Sequence, residues 1–378
     1  MSALMIKNGK VYDPARKAFY FGDVYITDDR KASFDNDTNY TEINAEGCYV
    51  TPGFIDYHVH YFNGGADNGV NPDATSFCCG ITTAVDGGTC GVSTYEQFEK
   101  SIISGADVRL KSLLHVASGG QLTDGYYENL DPANFDADRI EKLFEKYPEQ
   151  LVGLKTRISN GIVAPELAEH SLKKTIEIAD QVGCNVVVHC TDPAMDLEKL
   201  CSILRRGDVL CHMYQNKGKE NILTSDGSVR PGVLEARERG VLFDACNGRN
   251  NFDLLVAGSA IRHGFFPDII SSDLNMTSLF LEPLHSLPRV LSKYLTFGMP
   301  LNQILDAVVL MPAKLIHMES LASMAEDTPA DITIFKIKEQ PVKYYDHTSV
   351  NELLGNAIIV PQMTIKNGKI MYCQADFN

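Results

Sequence analysis

The sequence predicts an α/β protein: a (β/α)8 barrel, or TIM barrel, with a small β-sandwich domain formed by both chain termini. Three observations lead to this fold. Apolar and amphipathic stretches alternate in the central region, two similar hairpin patterns lie near the ends of the chain, and polar side chains stand where apolar stretches stop. We expect residues 54–319 to form the barrel, and residues 1–53 with 320–378 to form the small domain.

The central region contains eight short apolar stretches separated by longer amphipathic ones, which is typical of repeated βα units. Helical periodicity is clear over 166–182, 195–206 and 233–239, each just before an apolar stretch. Eight parallel strands with crossover helices close into a barrel. The predicted strands are 54–60, 81–86, 112–117, 151–157, 185–189, 209–213, 241–245 and 269–273.

The two ends of the chain each contain an Asn-Gly pair between β-branched residues, Asn8-Gly9 and Asn367-Gly368. Asn-Gly supplies the positive φ angles of a type I′ turn, so each pattern predicts a β-hairpin. Further strand patterns at 22–26 and 331–335 place more strands beside each hairpin. One small β-domain built from both termini explains the similarity, and chance likeness of two common turns is the alternative.

The composition excludes several classes of function. The 378 residues include 34 Lys+Arg and 49 Asp+Glu, a net charge of −15, which argues against nucleic-acid and anionic-membrane partners. No stretch approaches the roughly 20 apolar residues of a membrane span, and the first residues lack the apolar core of a signal peptide. The ten cysteines show no C-x-x-C spacing. We therefore expect a cytoplasmic protein with reduced thiols.

Two histidines close the first predicted strand. His58 and His60 are separated by one residue, so their side chains lie on the same face of a strand and can both point to the barrel axis. An isolated H-x-H is common and by itself does not identify a metal site.

Lys155 lies in the otherwise apolar fourth predicted strand. For an isolated case, a lysine that is paired with a carboxylate, or that reaches the rim, is the simpler explanation. The functional alternative is a lysine that adds carbon dioxide and becomes a carbamate. An ammonium repels metal cations, whereas a carbamate has two oxygens that can bridge a pair of them.

The fifth, sixth and eighth predicted strands end in His189, His212 and Asp273. Functional groups of (β/α)8 barrels lie at the carboxyl ends of the strands, so these three residues should meet the other strand-end residues. Burial of six ionisable groups together would cost several kcal/mol each without a counter-charge. The full set therefore indicates bound cations. Its members are His58, His60, Lys155, His189, His212 and Asp273.

The order of these residues resembles the amidohydrolase superfamily in its binuclear-metal, carboxylated-lysine subtype. The strings TPGFIDYHVH at 51–60 and GLKTRIS at 153–159 are most similar to its dihydroorotase-like group, whose members are often labelled deacetylase or adenine deaminase. The resemblance implies that His58, His60 and Asp273 hold one ion, that His189 and His212 hold a second, and that carboxylated Lys155 bridges both. It implies two divalent ions, with zinc favoured and manganese or iron as alternatives, carbon dioxide as the carbamate, and a bridging hydroxide that attacks a trigonal carbon. Asp273 would then carry the proton to the leaving group.

Departures from the family pattern indicate the substrate contacts. Tyr61 follows His60 where dihydroorotases usually have an arginine, and Asn247 and Arg249 lie where similar proteins have Gly-His-Gly. Asn275 follows Asp273. Arg157 and Arg249 are candidates for binding a substrate anion, and a structural ion pair is an equal alternative for Arg157.

We therefore expect an amidohydrolase that cleaves an amide, cyclic amide or acyl bond of a small anionic substrate. The alternatives are deamination of a nucleobase or other aminated heterocycle, dihydroorotase-like ring opening, and a non-catalytic scaffold. A scaffold has no use for an intact buried cluster of ligands. A barrel of this size is commonly a homo-oligomer, so that is the expected assembly.

Overall fold

The structure is a computed structural model that describes residues 3–123, 125 and 127–375. The chain begins with seven strands: β1 (Ala3–Lys7), β2 (Lys10–Asp13), β3 (Ala18–Phe21), β4 (Val24–Thr27), β5 (Arg30–Ala32), β6 (Tyr40–Asn44) and β7 (Tyr49–Pro52). The central strands are β8 (Phe54–Val59), β9 (Ile81–Asp86), β10 (Arg109–His115), β11 (Leu151–Arg157), β12 (Val186–His189), β13 (Val209–Cys211) and β14 (Leu242–Asp244). The last strands are β15 (Ile332–Tyr345), β16 (Glu352–Lys366) and β17 (Lys369–Cys373).

The α-helices follow or connect the central strands, and the longest of them, at 165–182, agrees with the periodicity of the sequence. It begins with Pro165 and ends before Gly183, whose φ of 70° stops the helix. Within the described residues, no helix has both the length and the apolar character that crossing a bilayer would need. The helices are α1 (Pro72–Ser76), α2 (Tyr95–Ser101), α3 (Ala137–Lys146), α4 (Pro165–Val182), α5 (Leu197–Ile203), α6 (Pro231–Arg239), α7 (Leu254–Arg262), α8 (Leu287–Thr296), α9 (Leu301–Leu305) and α10 (Met311–Leu315).

Strands β8 to β14 form one parallel sheet in chain order, seven strands wide in the described part of the chain. They correspond to the first seven predicted strands. Most of their residues are buried, because helices cover the outer face and side chains fill the inner face. The α/β fold expected from the sequence is therefore confirmed.

The eighth predicted stretch, 269–273, does not form a regular strand. It makes isolated parallel bridges instead: Ile269 pairs with Asp244 at the end of β14, and Leu274 pairs with Val59 at the end of β8. Asp273 has a φ of 56°, a left-handed conformation that interrupts an extended strand. The segment nevertheless lies between the two outer strands of the parallel sheet.

The remaining strands form two further sheets. One has the order β17-β16-β15-β7-β2-β3 and so combines strands from both ends of the chain, while the other has the order β5-β4-β1-β6. A separate apolar cluster is buried between them, with Ile6 and Ile26 from the smaller sheet and Val11, Val50 and Ile332 from the larger one. Strands from both ends of the chain thus share one sheet.

The two Asn-Gly patterns have different outcomes. Asn367 and Gly368 have φ angles of 48° and 73° and connect the antiparallel pair β16 and β17, so that hairpin is confirmed. The hairpin predicted at Asn8-Gly9 is wrong, since β1 and β2 belong to different sheets. A Cβ atom on Gly9 would lie 2.5 Å from Cγ2 of Val50, so here the glycine allows a close approach between strands.

Candidate metal centre

The first two candidate ligands lie at the carboxyl end of β8. His58 and His60 are both buried, and their ring centroids are 5.6 Å apart. Nδ1 of His60 is 2.7 Å from Oγ1 of Thr89, and that hydroxyl donates to Oδ2 of Asp86 at 2.9 Å. Because the Thr89 hydroxyl donates its only proton to Asp86, Nδ1 of His60 donates to Thr89 and Nε2 is the nitrogen that remains for a metal ion. Thr89 thus orients His60 with a free nitrogen toward the cavity.

Lys155, on β11, is only 1% exposed, and its Nζ lies 3.0 Å from Nε2 of His58. Among the described residues it makes no ion pair with a carboxylate, so the first simple explanation for a buried lysine does not hold. Two glycines after β9 make the space that these side chains occupy. A Cβ atom on Gly87 would lie 2.3 Å from the His58 ring, and one on Gly88 would lie 2.5 Å from Cβ of Lys155.

His189 and His212 approach each other at the ends of β12 and β13. Nε2 of His212 is 2.8 Å from Nδ1 of His189, and Nδ1 of His212 donates to the carbonyl of Cys246 at 2.7 Å. Burial lowers the pKa of His212 to about 4 and holds the pKa of His189 well below its ordinary value. Both rings are therefore neutral near pH 7, which is the form that binds a metal.

Asp273 joins the first two histidines. Its Oδ1 lies 3.3 Å from Nε2 of His60 and 3.9 Å from Nε2 of His58, and its Oδ2 accepts a hydrogen bond from Asn251 at 3.3 Å. Burial raises the pKa of Asp273, but the hydrogen bond with His60 and the charges of His212, His60 and Lys155 outweigh it, so the pKa is lowered. Asp273 is thus a carboxylate at neutral pH.

The donor set fits divalent cations. The ligand atoms of His58, His60 and Asp273 lie within 4.8 Å of one another. Nε2 of His60 faces a carboxylate oxygen of Asp273 at 3.3 Å, a contact that is favourable only with a proton or a cation between the two atoms. A cation would satisfy both, and the imidazole and carboxylate donors suit zinc and other first-row metals.

These residues lie on the floor of a polar cavity of about 520 Å³. Of the predicted ligands, His212 does not line the cavity, because His189 stands in front of it. The predicted site residues that do line it are His58, His60, Lys155, Arg157, His189, Arg249, Asp273 and Asn275.

Two predicted substrate contacts lie elsewhere. Tyr61 is buried and its hydroxyl is 2.9 Å from Oγ of Ser76. Asn247 is also buried and hydrogen-bonds the Tyr294 hydroxyl and Nζ of Lys293, each at 3.2 Å. Neither side chain lines the cavity.

Arg157 reaches the cavity but is also part of a buried ion pair. Its Nη1 lies 3.1 Å from Oε1 of Glu128, and the same carboxylate oxygen lies 3.3 Å from Nε2 of His115. Burial raises the pKa of Glu128, but His115 and Arg157 outweigh that effect and lower it. The charge of Arg157 is therefore largely balanced inside the protein. Sequence reasoning missed Glu128 because it lies in an irregular loop after β10.

Lys217 is a second residue that sequence reasoning missed. It is half-buried, lines the cavity, and makes no ion pair among the described residues. It lies in the loop after β13, five residues beyond His212. Loops after barrel strands carry functional groups, and this position is the only feature of the sequence that indicates a role for Lys217.

No family model matches the chain. The chain is 29% identical over 305 residues to a deacetylase of Agrobacterium fabrum, which covers 80% of this chain and 74% of the relative. A crystal structure of a dihydroorotase has a TM-score of 0.89 and 25% identity, covering 99% of this chain and 98% of the other. A crystal structure of an adenine deaminase has the same TM-score and identity, and covers 99% and 100%.

Proposed function

We propose that the chain is a member of the amidohydrolase superfamily and that it hydrolyses an amide, cyclic amide or acyl bond of a small anionic substrate. Relatives named deacetylase, dihydroorotase and adenine deaminase support a metal-dependent amidohydrolase. The observation that carries the proposal is the meeting of His58, His60, Lys155 and Asp273, with neutral His189 beside them, on the floor of one cavity.

We propose that two divalent ions, most simply zinc, occupy this centre. His58, His60 and Asp273 would hold one ion, and His189 and His212 the other. Lys155 would bridge them after its amino group adds carbon dioxide and releases a proton. This step would give a buried side chain, which makes no ion pair among the described residues, a carbamate anion with two donor oxygens. When bound, such ions lower the pKa of water toward neutrality and polarise a carbonyl group.

The protein's own residues would orient the reaction and move its proton. Asp273 is the proposed proton carrier: Oδ1 faces the histidines, while Oδ2 faces Asn251 and is available to the attacking water. Oδ2 would accept the proton of the water and deliver it to the leaving nitrogen. Thr89 would keep His60 in the tautomer that leaves Nε2 free.

Cationic side chains at the cavity would bind the anionic group of the substrate. Arg249 is exposed at the cavity, and neither it nor Lys217 makes an ion pair among the described residues. Both can therefore bind a substrate anion more readily than Arg157, whose charge Glu128 offsets. Asn275 lines the cavity, although its amide is hydrogen-bonded to the Asp273 carbonyl and to Thr277.

We also infer how the sheets form domains. Segment 269–274 would serve as the eighth strand and close a (β/α)8 barrel within residues 54–319, since it bridges both outer strands of the parallel sheet. Residues 1–53 and 320–378 would form the small β-sandwich domain.

Ten free cysteines, two of them exposed, support a reducing compartment such as the cytoplasm. We also propose that the protein is a homo-oligomer. Sedimentation of the purified protein tests this assembly.

A substrate panel tests the function. Zinc-supplemented enzyme is offered N-acyl acids, cyclic amides and aminated heterocycles, and the carboxylic acid or ammonia released is measured. We expect acid release, and a loss of about 10³-fold or more in kcat for Asp273→Asn with the fold retained. Asp192→Asn, a cavity carboxylate outside the proposed ligand set, is the matched control.

The panel also separates the alternatives. Release of ammonia from heterocycles alone would favour deamination, which the adenine deaminase structure keeps open. An Asp273→Asn enzyme with full activity would contradict the proposed mechanism.

A further inference from the structure

A second group of metal-binding side chains lies behind His58. Nε2 of His58 faces Lys155 at 3.0 Å, and Nδ1 on the other side of the ring is 3.6 Å from Sγ of Cys211. The ring therefore lies between the candidate metal centre and a second set of donors, of which the proposed hydrolysis uses only His58.

This second set, called the thiol cluster here, consists of His58, Cys211, Asp244 and Cys246. All four residues are buried, and their donor atoms lie within 4.8 Å of one another. Cys211 is the last residue of β13, Asp244 is the last residue of β14, and Cys246 follows two positions later. The adjacent strands β13 and β14 thus bring two sulfurs and a carboxylate to one point, where they meet the imidazole of His58 from β8.

The separations in the thiol cluster suit a tetrahedral ion. Metal bonds of about 2.0–2.3 Å at tetrahedral angles place neighbouring donor atoms roughly 3.3–3.8 Å apart. Sγ of Cys211 is 3.6 Å from Nδ1 of His58 and 3.9 Å from Oδ2 of Asp244. These two separations lie in or close to that range, and all the donor atoms of the cluster lie within 4.8 Å of one another.

Asp244 gives an independent reason for a cation. It is fully buried, yet it makes no ion pair with a lysine or arginine of the described residues. Its oxygens accept hydrogen bonds from Oγ of Ser271 at 2.9 and 2.7 Å and from the amide of Cys246 at 3.0 Å. These donors fix the carboxylate in place beside the two thiols, as supporting residues do around metal sites.

We propose that the thiol cluster binds a thiophilic divalent cation of the zinc and cadmium class. Thiolate donors favour such ions over magnesium or manganese. Binding forms a metal bond to each sulfur and releases both thiol protons to solvent. Where Nε2 of His58 already holds an ion, the remaining ring proton leaves as well and the imidazolate bridges the two sites.

Cobalt is the probe that tests this site. The protein is produced in cells supplied with cobalt, so that the ion can enter during folding. Thiolate-bound cobalt absorbs strongly in the near ultraviolet through charge transfer, whereas imidazole, carbamate and carboxylate ligands give only weak visible bands. We expect the near-ultraviolet band in the wild type, its loss in Cys211→Ser and in Cys246→Ser, and the loss of about one cobalt per chain in each variant.

Two control variants and the wild type itself make the result decisive. Cys201→Ser removes a buried thiol of α5 outside the thiol cluster and should keep the band. Lys155→Ala should also keep the band. Loss of metal from the candidate metal centre is thereby distinguished from loss of metal from the thiol cluster. Absence of the near-ultraviolet band from the wild type would overturn the proposal. This outcome does not depend on whether any variant folds.

Loss of the band in Cys246→Ser has a second explanation, because the ligand atom of Cys246 also lies within 4.8 Å of those of His212 and Asp273. If Cys246→Ser loses the band while Cys211→Ser keeps it, Cys246 is a ligand of the other centre and the thiol cluster is not a site.

Discussion

Gly88 leaves the space that the Lys155 side chain occupies: a Cβ atom on Gly88 would lie 2.5 Å from Cβ and 2.7 Å from Cγ of Lys155. The φ of Gly88 is 87°, which side chains rarely tolerate. The glycine pair after β9 is therefore a structural condition for the position of Lys155 against His58.

Replacement of Gly88 by alanine should destabilise the protein and displace Lys155. We expect the free energy of unfolding to fall by about 3 kcal/mol, from backbone strain and overpacking together. Urea denaturation measures this change in the free energy of unfolding. Gly105→Ala is the control, since nothing lies within 4 Å of a Cβ atom there and its φ is ordinary, so a change of less than about 0.5 kcal/mol is expected. Equal stability of the two variants would contradict the steric argument.

Thr89 should control metal retention through His60. Thr89→Val keeps the shape of the side chain but removes the hydroxyl that is 2.7 Å from Nδ1 of His60. We expect metal affinity to fall by about 10- to 100-fold, measured by competition with a chelator. Thr89→Ser retains the hydroxyl and should behave like the wild type. If Thr89→Val holds its metal as tightly as Thr89→Ser, the hydroxyl does not orient His60.

The buried ion pair of Glu128 predicts a pH dependence of stability. The pKa of Glu128 in the folded protein lies below its usual value, so the pair stabilises the protein above the ordinary carboxyl pKa and loses that contribution as the pH falls toward the folded pKa. Glu128→Gln should cost about 3 kcal/mol at pH 7, because Arg157 loses its counter-charge.

The difference between wild type and Glu128→Gln should therefore shrink below about pH 4. Denaturation at several pH values measures this difference. The matched control is Glu352→Gln, which breaks an exposed ion pair with Lys343 and should change stability by less than about 1 kcal/mol. A difference that stays constant with pH would contradict the assigned pair.

Lys217 and Arg249 should determine the affinity for an anionic substrate. Lys217→Ala and Arg249→Ala are each expected to raise KM about tenfold and to leave kcat nearly unchanged, because a charged hydrogen bond contributes equally to the ground and transition states. Lys219→Ala, an exposed lysine of the same loop, is the control. A neutral analogue of the substrate should show no difference between the variants. A fall in kcat alone would place these residues in another role.

Much of the fold could be predicted because buried parallel strands are apolar throughout. Strands β8 to β14 follow the predicted stretches, whereas 269–273 ends in a left-handed residue and pairs only through bridges. The same dipeptide gave opposite results at Asn8-Gly9 and Asn367-Gly368. Turn propensity is local, but the sheet that each strand joins depends on residues far away in the chain.

The candidate site was predictable where it follows the ends of strands. His58, His60, Lys155 and Asp273 come together as expected. Tyr61 does not join them, since it directly follows His60 and adjacent side chains of an extended segment point to opposite sides. Glu128 and Lys217 lie in irregular loops, where no periodicity indicates the direction of a side chain.

The zinc content of the wild type and of Lys155→Ala tests the central claim, a binuclear centre bridged by Lys155. Both proteins are produced with supplemental zinc and analysed by elemental analysis, with Lys111→Ala as a buried-lysine control outside the cavity. We expect about two more zinc ions per chain in the wild type and in Lys111→Ala than in Lys155→Ala. A zinc ion in the thiol cluster would be present in all three proteins and would not change this difference. Equal zinc content in the wild type and Lys155→Ala would contradict the bridging role of Lys155.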